Sequence, residues 1–143
     1  MKRAAIVIAV LFVLVVSVFV ARWLNYDANE RSQVTELLRA QARGDAGSML
    51  TLVRCPDQAC AALVRANARR LRAPGDLKIA LYQSQTAHAL RSETRQTRVV
   101  WFTPGRLTTV QCVLVRREGN AVAGMSISLL RLSAPIGRQS SCP

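Results

Sequence analysis

Residues 4–21 read AAIVIAVLFVLVVSVFVA, an apolar run in which Ser17 is the only polar member. Lys2 and Arg3 precede it, and Arg22, Trp23 and Tyr26 follow. As a helix the run would rise about 27 Å at about 1.5 Å per residue, close to the thickness of a bilayer's hydrocarbon core. With no water there, a helix is the one form in which a single segment satisfies its own backbone. The run predicts a transmembrane helix over residues 1–24, with membrane lipid as the partner of residues 4–21.

A cleaved secretory signal would share the basic start, but its apolar centre is shorter and small residues precede the cut. Cutting after Ala21 would put Phe19 three residues before the cut, and cutting after Ala28 would put Tyr26 there. An uncleaved anchor fits these residues better. The flanking charges barely differ, Lys2, Arg3 and the amino terminus facing Arg22, Arg31 and Arg39, so they orient the helix weakly. The cysteines favour one side. Cys55, Cys60, Cys112 and Cys142 all follow the run, and an even number suits an oxidising compartment. The alternative is four reduced thiols in a cytosolic domain. The expected location is the cell membrane, with a single pass and the C-terminal domain outside the cytoplasm.

About 120 residues follow the anchor, enough for one core and too few for two. Residues 25–44 read as a stalk and first helix, with Val34, Leu37, Leu38 and Gln41 on one side. Gly44 is a natural left-handed stop, and Asp45 can cap a short second helix through Met49, Leu50 and Val53. A third helix is expected from about residue 57 to 72. Cys60, Leu63, Val64, Asn67 and Leu71 share one of its faces, while Arg65, Arg69 and Arg72 line another. Pro74, Gly75 and Asp76 end it in a turn. Four strands follow, with the first carrying Leu77, Ile79 and Leu81 in alternation. The others cover residues 94–102, 107–117 and 121–133, and Met125, Ile127 and Leu129 share one face of the last. Short turns make successive strands antiparallel neighbours. The expected fold is α+β, with two to three helices on a curved four-stranded antiparallel sheet over residues 45–133 and a C-terminal tail over 134–143.

This order resembles the cystatin-like and NTF2-like folds. The phrase Ala40-Gln41-Ala42-Arg43-Gly44-Asp45 is similar to the helix end A-x-x-x-G-D common in NTF2-like domains. Stretches 65–72, 97–101 and 110–117 also resemble a group of uncharacterised, membrane-anchored bacterial proteins. Such folds host enzymes, binding modules and assembly domains alike, so the resemblance implies architecture and no activity. A type IV pilin-like protein shares the apolar helix, the sheet and a late disulfide. Its processing motif needs a Gly before the cut and a Glu five residues into the run, and neither occurs here.

The cysteines allow three pairings. Pairing Cys55 with Cys60 closes a short local loop, and pairing Cys112 with Cys142 would pin the tail, so these two are favoured. No C-x-x-C redox motif or paired zinc spacing is present, and no metal or other cofactor is expected. His88 is the sole histidine. With Tyr82 or Glu93 it could serve an enzyme built around an NTF2-like pocket. No nucleophile elbow, zinc-protease helix or phosphate-cradling loop appears, so no catalytic residue is assigned.

Outside Lys2 and Arg3, 18 basic residues face 8 acidic ones, a net of +10. That excess suits anionic lipid or an anionic wall polymer. The charges are dispersed and aromatics few, which argues against a base-stacking nucleic-acid face, and Trp101 reads as core packing. The sequence thus points to a non-catalytic, membrane-anchored binding or assembly domain, with Arg65, Arg69 and Arg72 as its contact face. The alternatives are a small pocket enzyme and an accessory subunit of a membrane complex. No G-x-x-x-G pattern lies in the run to name a helix partner.

Overall fold

The computed structural model describes residues 2–87, 92–120 and 124–142. Among them are three helices, α1 (Lys2–Arg43), α2 (Ala46–Leu52) and α3 (Gln58–Arg70). Four strands follow: β1 (Lys78–Ala87), β2 (Ser92–Phe102), β3 (Thr109–Asn120) and β4 (Gly124–Leu132). They form one antiparallel sheet in the order β1-β2-β3-β4. This is the α+β order expected from the sequence, helices first and a meander after.

The apolar run and the following amphipathic stretch form one helix. No glycine or proline occurs between residues 2 and 43, so nothing in the chain breaks the hydrogen-bond ladder at the expected boundary. The two halves differ in environment. From Ile6 to Val20 the large apolar side chains are exposed, whereas Glu30, Val34, Leu37, Leu38 and Gln41 are buried beneath the sheet. Among the described residues no helix is long and apolar enough to cross a membrane, so the expected transmembrane span is not shown.

Helix α1 ends at Gly44, with φ +77°. Gly44 N–H donates to the Gln41 carbonyl and Asp45 N–H to the Ala40 carbonyl, each at 2.9 Å. These are the paired closing bonds of a Schellman motif, which requires a left-handed residue at this point. Asp45 then caps α2, accepting from Ser48 N–H at 3.0 Å, and Ser48 holds its carboxyl below the usual carboxylate range. Asp57 caps α3 through Cys60 N–H at 2.7 Å. Between sheet and helices lies an apolar core of Val34, Leu37, Leu38, Met49, Val53, Val64, Val99, Val113, Val115, Leu129 and Leu132.

Two β-bulges alter the expected alternation. In β1 the register shifts between Ile79 and Leu81. Ala80 is the extra residue, so Ile79 and Tyr82 pack on the core while Leu81 is 40% exposed. The alternation of Leu77, Ile79 and Leu81 is corrected accordingly. A second shift lies opposite Leu114 and Val115, and it lets Leu129 and Leu132 both point inward. Strand β3 starts at Thr109 rather than 107, because the preceding loop is wider than the Thr103-Pro104-Gly105-Arg106 turn it contains. The expected start of the fourth strand, residues 121–123, lies outside the described residues, as does His88.

Cys55 is bridged to Cys60 and Cys112 to Cys142, the two pairings favoured from the sequence. The second bridge fixes the tail beside β3. Ser133 N–H donates to the Cys112 carbonyl and Ile136 N–H to the Val110 carbonyl, both at 2.8 Å, and the Arg98 guanidinium donates to the Arg138 carbonyl.

Candidate anion-binding groove

The inner stripe of α1 is Asp27, Glu30, Val34, Leu37 and Gln41, a spacing of three and four residues that keeps them on one side. Its two ends are polar and its middle apolar, and the sheet matches it layer by layer. At the end nearer the apolar run, Glu30 is 1% and Arg117 4% exposed. Arg117 Nε donates to Glu30 Oε2 at 2.7 Å, and Arg117 Nη2 reaches Asp27 Oδ1 at 2.6 Å. The other Glu30 oxygen accepts from the hydroxyls of Tyr82 at 2.9 Å and Thr97 at 3.3 Å. Burial lowers the Arg117 pKa, but bonds to Asp27 and Glu30 more than offset this, and the net shift is upward. This charge pair is satisfied on every side and fills the space under the sheet.

Tyr82 belongs to this cluster rather than to an open pocket. Glu93 forms an ion pair with Arg95 at 3.1 Å. Neither Tyr82 nor Glu93 lines the three surface depressions described next, and His88, the third member of the pocket-enzyme arrangement, lies outside the described residues. No group of three or more His, Cys, Asp or Glu able to hold a metal occurs among them.

Burial, followed by the negative charge of Glu30, raises the Tyr82 phenol well above its ordinary value. The folded state therefore holds this proton more tightly than the unfolded chain does. Its stabilising effect is complete below pH ~10 and declines as the pH rises beyond that point. In Tyr82→Phe the charged Glu30 loses one donor, which should cost about 1.5–3 kcal/mol at neutral pH. The drop in urea midpoint between pH 8 and pH 10.5 should also be smaller in the variant than in the parent chain.

At the other end of α1 the buried layer is uncharged. Gln41 Nε2 donates to Gln111 Oε1 at 2.8 Å, and Trp101 Nε1 donates to the same oxygen at 2.9 Å. Gln111 Nε2 and Asn67 Nδ2 both reach the Ser133 carbonyl. Above this layer the surface opens into a groove of about 700 Å³. Its walls are the last turn of α1 with Arg39 and Arg43, the segment after α3 with Arg72, and Arg106 from the β2–β3 loop. Asp76 is the one acid lining it.

Local structure explains this convergence. A side chain at residue 44 would put its Cβ 3.1 Å from Arg72 Cδ, so Gly44 both ends α1 and leaves room for the Arg72 stem. Ala73 N–H donates to the Ala42 carbonyl at 2.9 Å, which fastens the segment after α3 to the last turn of α1. Arg106 N–H donates to the Thr103 carbonyl at 3.0 Å across Pro104 and Gly105, and φ is +78° at Gly105. A Pro-Gly pair with this glycine conformation suits a type II turn, which aims Arg106 at the groove.

The groove shares Arg39 and Arg43 with a shallow depression along α1 that also holds Arg31 and Glu36. It shares Arg72 and Arg106 with a cleft of about 290 Å³ that also holds Arg70 and Thr103. The three form a track lined by six arginines and two acids. Of the residues expected to form a contact face, Arg65, Arg69 and Arg72 are all exposed, and only Arg72 lies in the track. Arg39, Arg43 and Arg106 were not singled out from the sequence. Like charges gathered on concave walls repel one another and concentrate a positive potential, so the arrangement favours an anionic occupant. Compared with family models, curated proteins and solved structures, the chain has no match.

Proposed function

We propose that this chain is a single-pass membrane protein whose disulfide-bonded domain stands outside the cytoplasm and binds an anionic polymer through its arginine track. The carrying observation is the convergence of Arg39, Arg43, Arg72 and Arg106 on one groove with Asp76 as its lone acid. Membrane anchoring rests on the apolar residues between Ile6 and Val20, which are 43–69% exposed and lack a protein surface to cover them. A contiguous apolar patch of this kind calls for lipid or another chain. Two disulfides suit an oxidising compartment.

Distance narrows the ligand. Arg43 lies 22 residues beyond Ala21 on the same helix, a rise of about 33 Å. With α1 upright, the groove is held well beyond the Debye length, about 8 Å at physiological salt, from the bilayer to which the chain is anchored. A wall polymer or another polyanion away from the surface fits better than lipid of that bilayer. Tethering then supplies a high effective concentration to contacts that are individually weak.

In nanodiscs of zwitterionic lipid, long-chain polyphosphate should bind the parent chain with a strong salt dependence. Arg39→Glu/Arg43→Glu should weaken that binding at least tenfold and flatten its dependence on salt, since fewer counterions are released. Equal binding by the double variant would overturn the assignment of the groove. Protease added outside intact cells should digest the domain, and full protection would overturn the topology.

A further inference from the structure

The smaller cleft differs from the groove beside it. Thr103 lines it, and its hydroxyl is a buried side-chain oxygen with no hydrogen-bond partner among the described residues. Thr103 itself is 1% exposed. A buried hydroxyl without a partner carries an unmet desolvation cost, which a ligand oxygen can remove. Arg70, Arg72 and Arg106 line the same cleft. Apart from Thr109 the remaining side chains of the wall are apolar, chiefly Trp101, Leu71 and Leu107, the last 85% exposed and thus the most exposed large apolar residue described.

We infer that this cleft is a subsite for an oxyanion, phosphate or carboxylate, carried on a small apolar group. Arg72 and Arg106 supply charge and forked donors to the oxyanion, Thr103 donates its hydroxyl to one oxygen, and the apolar substituent lies between Trp101 and Leu107. A cleft of about 290 Å³ holds one such group with a few carbons, not a polymer. The inference rests on the proposed binding role of the arginine track. It adds that an end group or side group of the ligand is recognised separately from the charge of its chain.

The chain contains two tryptophans, so Trp23→Phe leaves Trp101 as the sole indole, placed in the wall of the cleft. With this variant in nanodiscs, n-hexyl phosphate or n-hexanoate should change the Trp101 emission saturably, and the tighter of the two identifies the oxyanion. Inorganic phosphate should bind at least tenfold more weakly than hexyl phosphate. Thr103→Val and Arg106→Gln should each weaken binding at least tenfold, while Arg69→Gln, outside the cleft, should not. Absence of saturation by both hexyl compounds, equal binding of inorganic phosphate, or equal binding by Thr103→Val and Arg106→Gln would overturn the inference. Polyphosphate binding that persists beside such a failure would leave the broader role standing, and its loss in the Arg39→Glu/Arg43→Glu chain would test that role alone.

Discussion

Arg117→Leu should lower the unfolding free energy of the domain by about 3–5 kcal/mol, the largest effect expected of any single substitution outside the apolar core. The cause is the group left behind. Glu30 is 1% exposed, and without Arg117 its carboxylate keeps only the hydroxyls of Tyr82 and Thr97 as donors. Desolvation then penalises a charge that nothing neutralises. Removing both partners should do less harm than removing one, because leucines of similar size would fill the same space without a buried charge. Denaturant unfolding followed by tryptophan emission should therefore rank Glu30→Leu/Arg117→Leu above Arg117→Leu. A double variant less stable than the single one would show that the pair contributes more than mutual neutralisation.

The second large effect belongs to the tail. Cys112→Ala/Cys142→Ala removes a bridge between residues 30 positions apart. In the chain-entropy description, a loop of that size stabilises by about 3.6 kcal/mol, against about 2 kcal/mol for the local loop between Cys55 and Cys60. The two pairs of cysteines should separate clearly in thermal unfolding, with the 112–142 variant melting first. Loss of this bridge also frees the segment that supplies the Ser133 carbonyl to Gln111 and Asn67. The variant should accordingly show a loosened Trp101 environment before global unfolding, visible as a red-shifted emission at temperatures where the parent chain is unchanged.

Helix and strand order was legible because each element carries its own periodicity and its own stop signals. Gly44, Asp45 and Asp57 act where their chemistry places them. The boundary within α1 was not legible as a continuity, because composition changes sharply at residue 22 while the backbone has no reason to break there. Nor was the role of Glu30, although its signal was present. The stripe of Val34, Leu37 and Gln41 extends backwards in steps of three and four to Glu30 and Asp27, but carboxylates at such positions read as solvent-facing until a cation is found opposite. That cation, Arg117, continues the inward alternation of Gln111, Val113 and Val115 on a strand 87 residues away. No local pattern links the two.

The bulge at Ala80 hid Tyr82 in the same way, since one extra residue inverts the faces of a strand. The groove was the least legible feature. Arg72 was marked by helical spacing with Arg65 and Arg69, yet its neighbours in space are Arg39 and Arg43 from α1 and Arg106 from the β2–β3 loop, two distant parts of the chain. A dispersed excess of arginine looks like uniform solvation in one dimension. Here the end of α1, the segment after α3 and one turn collect it at a single end of the domain.

The unbroken course of α1 from the apolar run into the core has a mechanical consequence. In the proposed membrane-bound arrangement, with no swivel between them, the domain would follow the apolar segment rigidly, as a lever follows its fulcrum. A tilt of about 20° in the lipid, ordinary for a spanning helix, would swing the last turn of α1 sideways by about 11 Å. The reach of the arginines would then be steered by bilayer thickness.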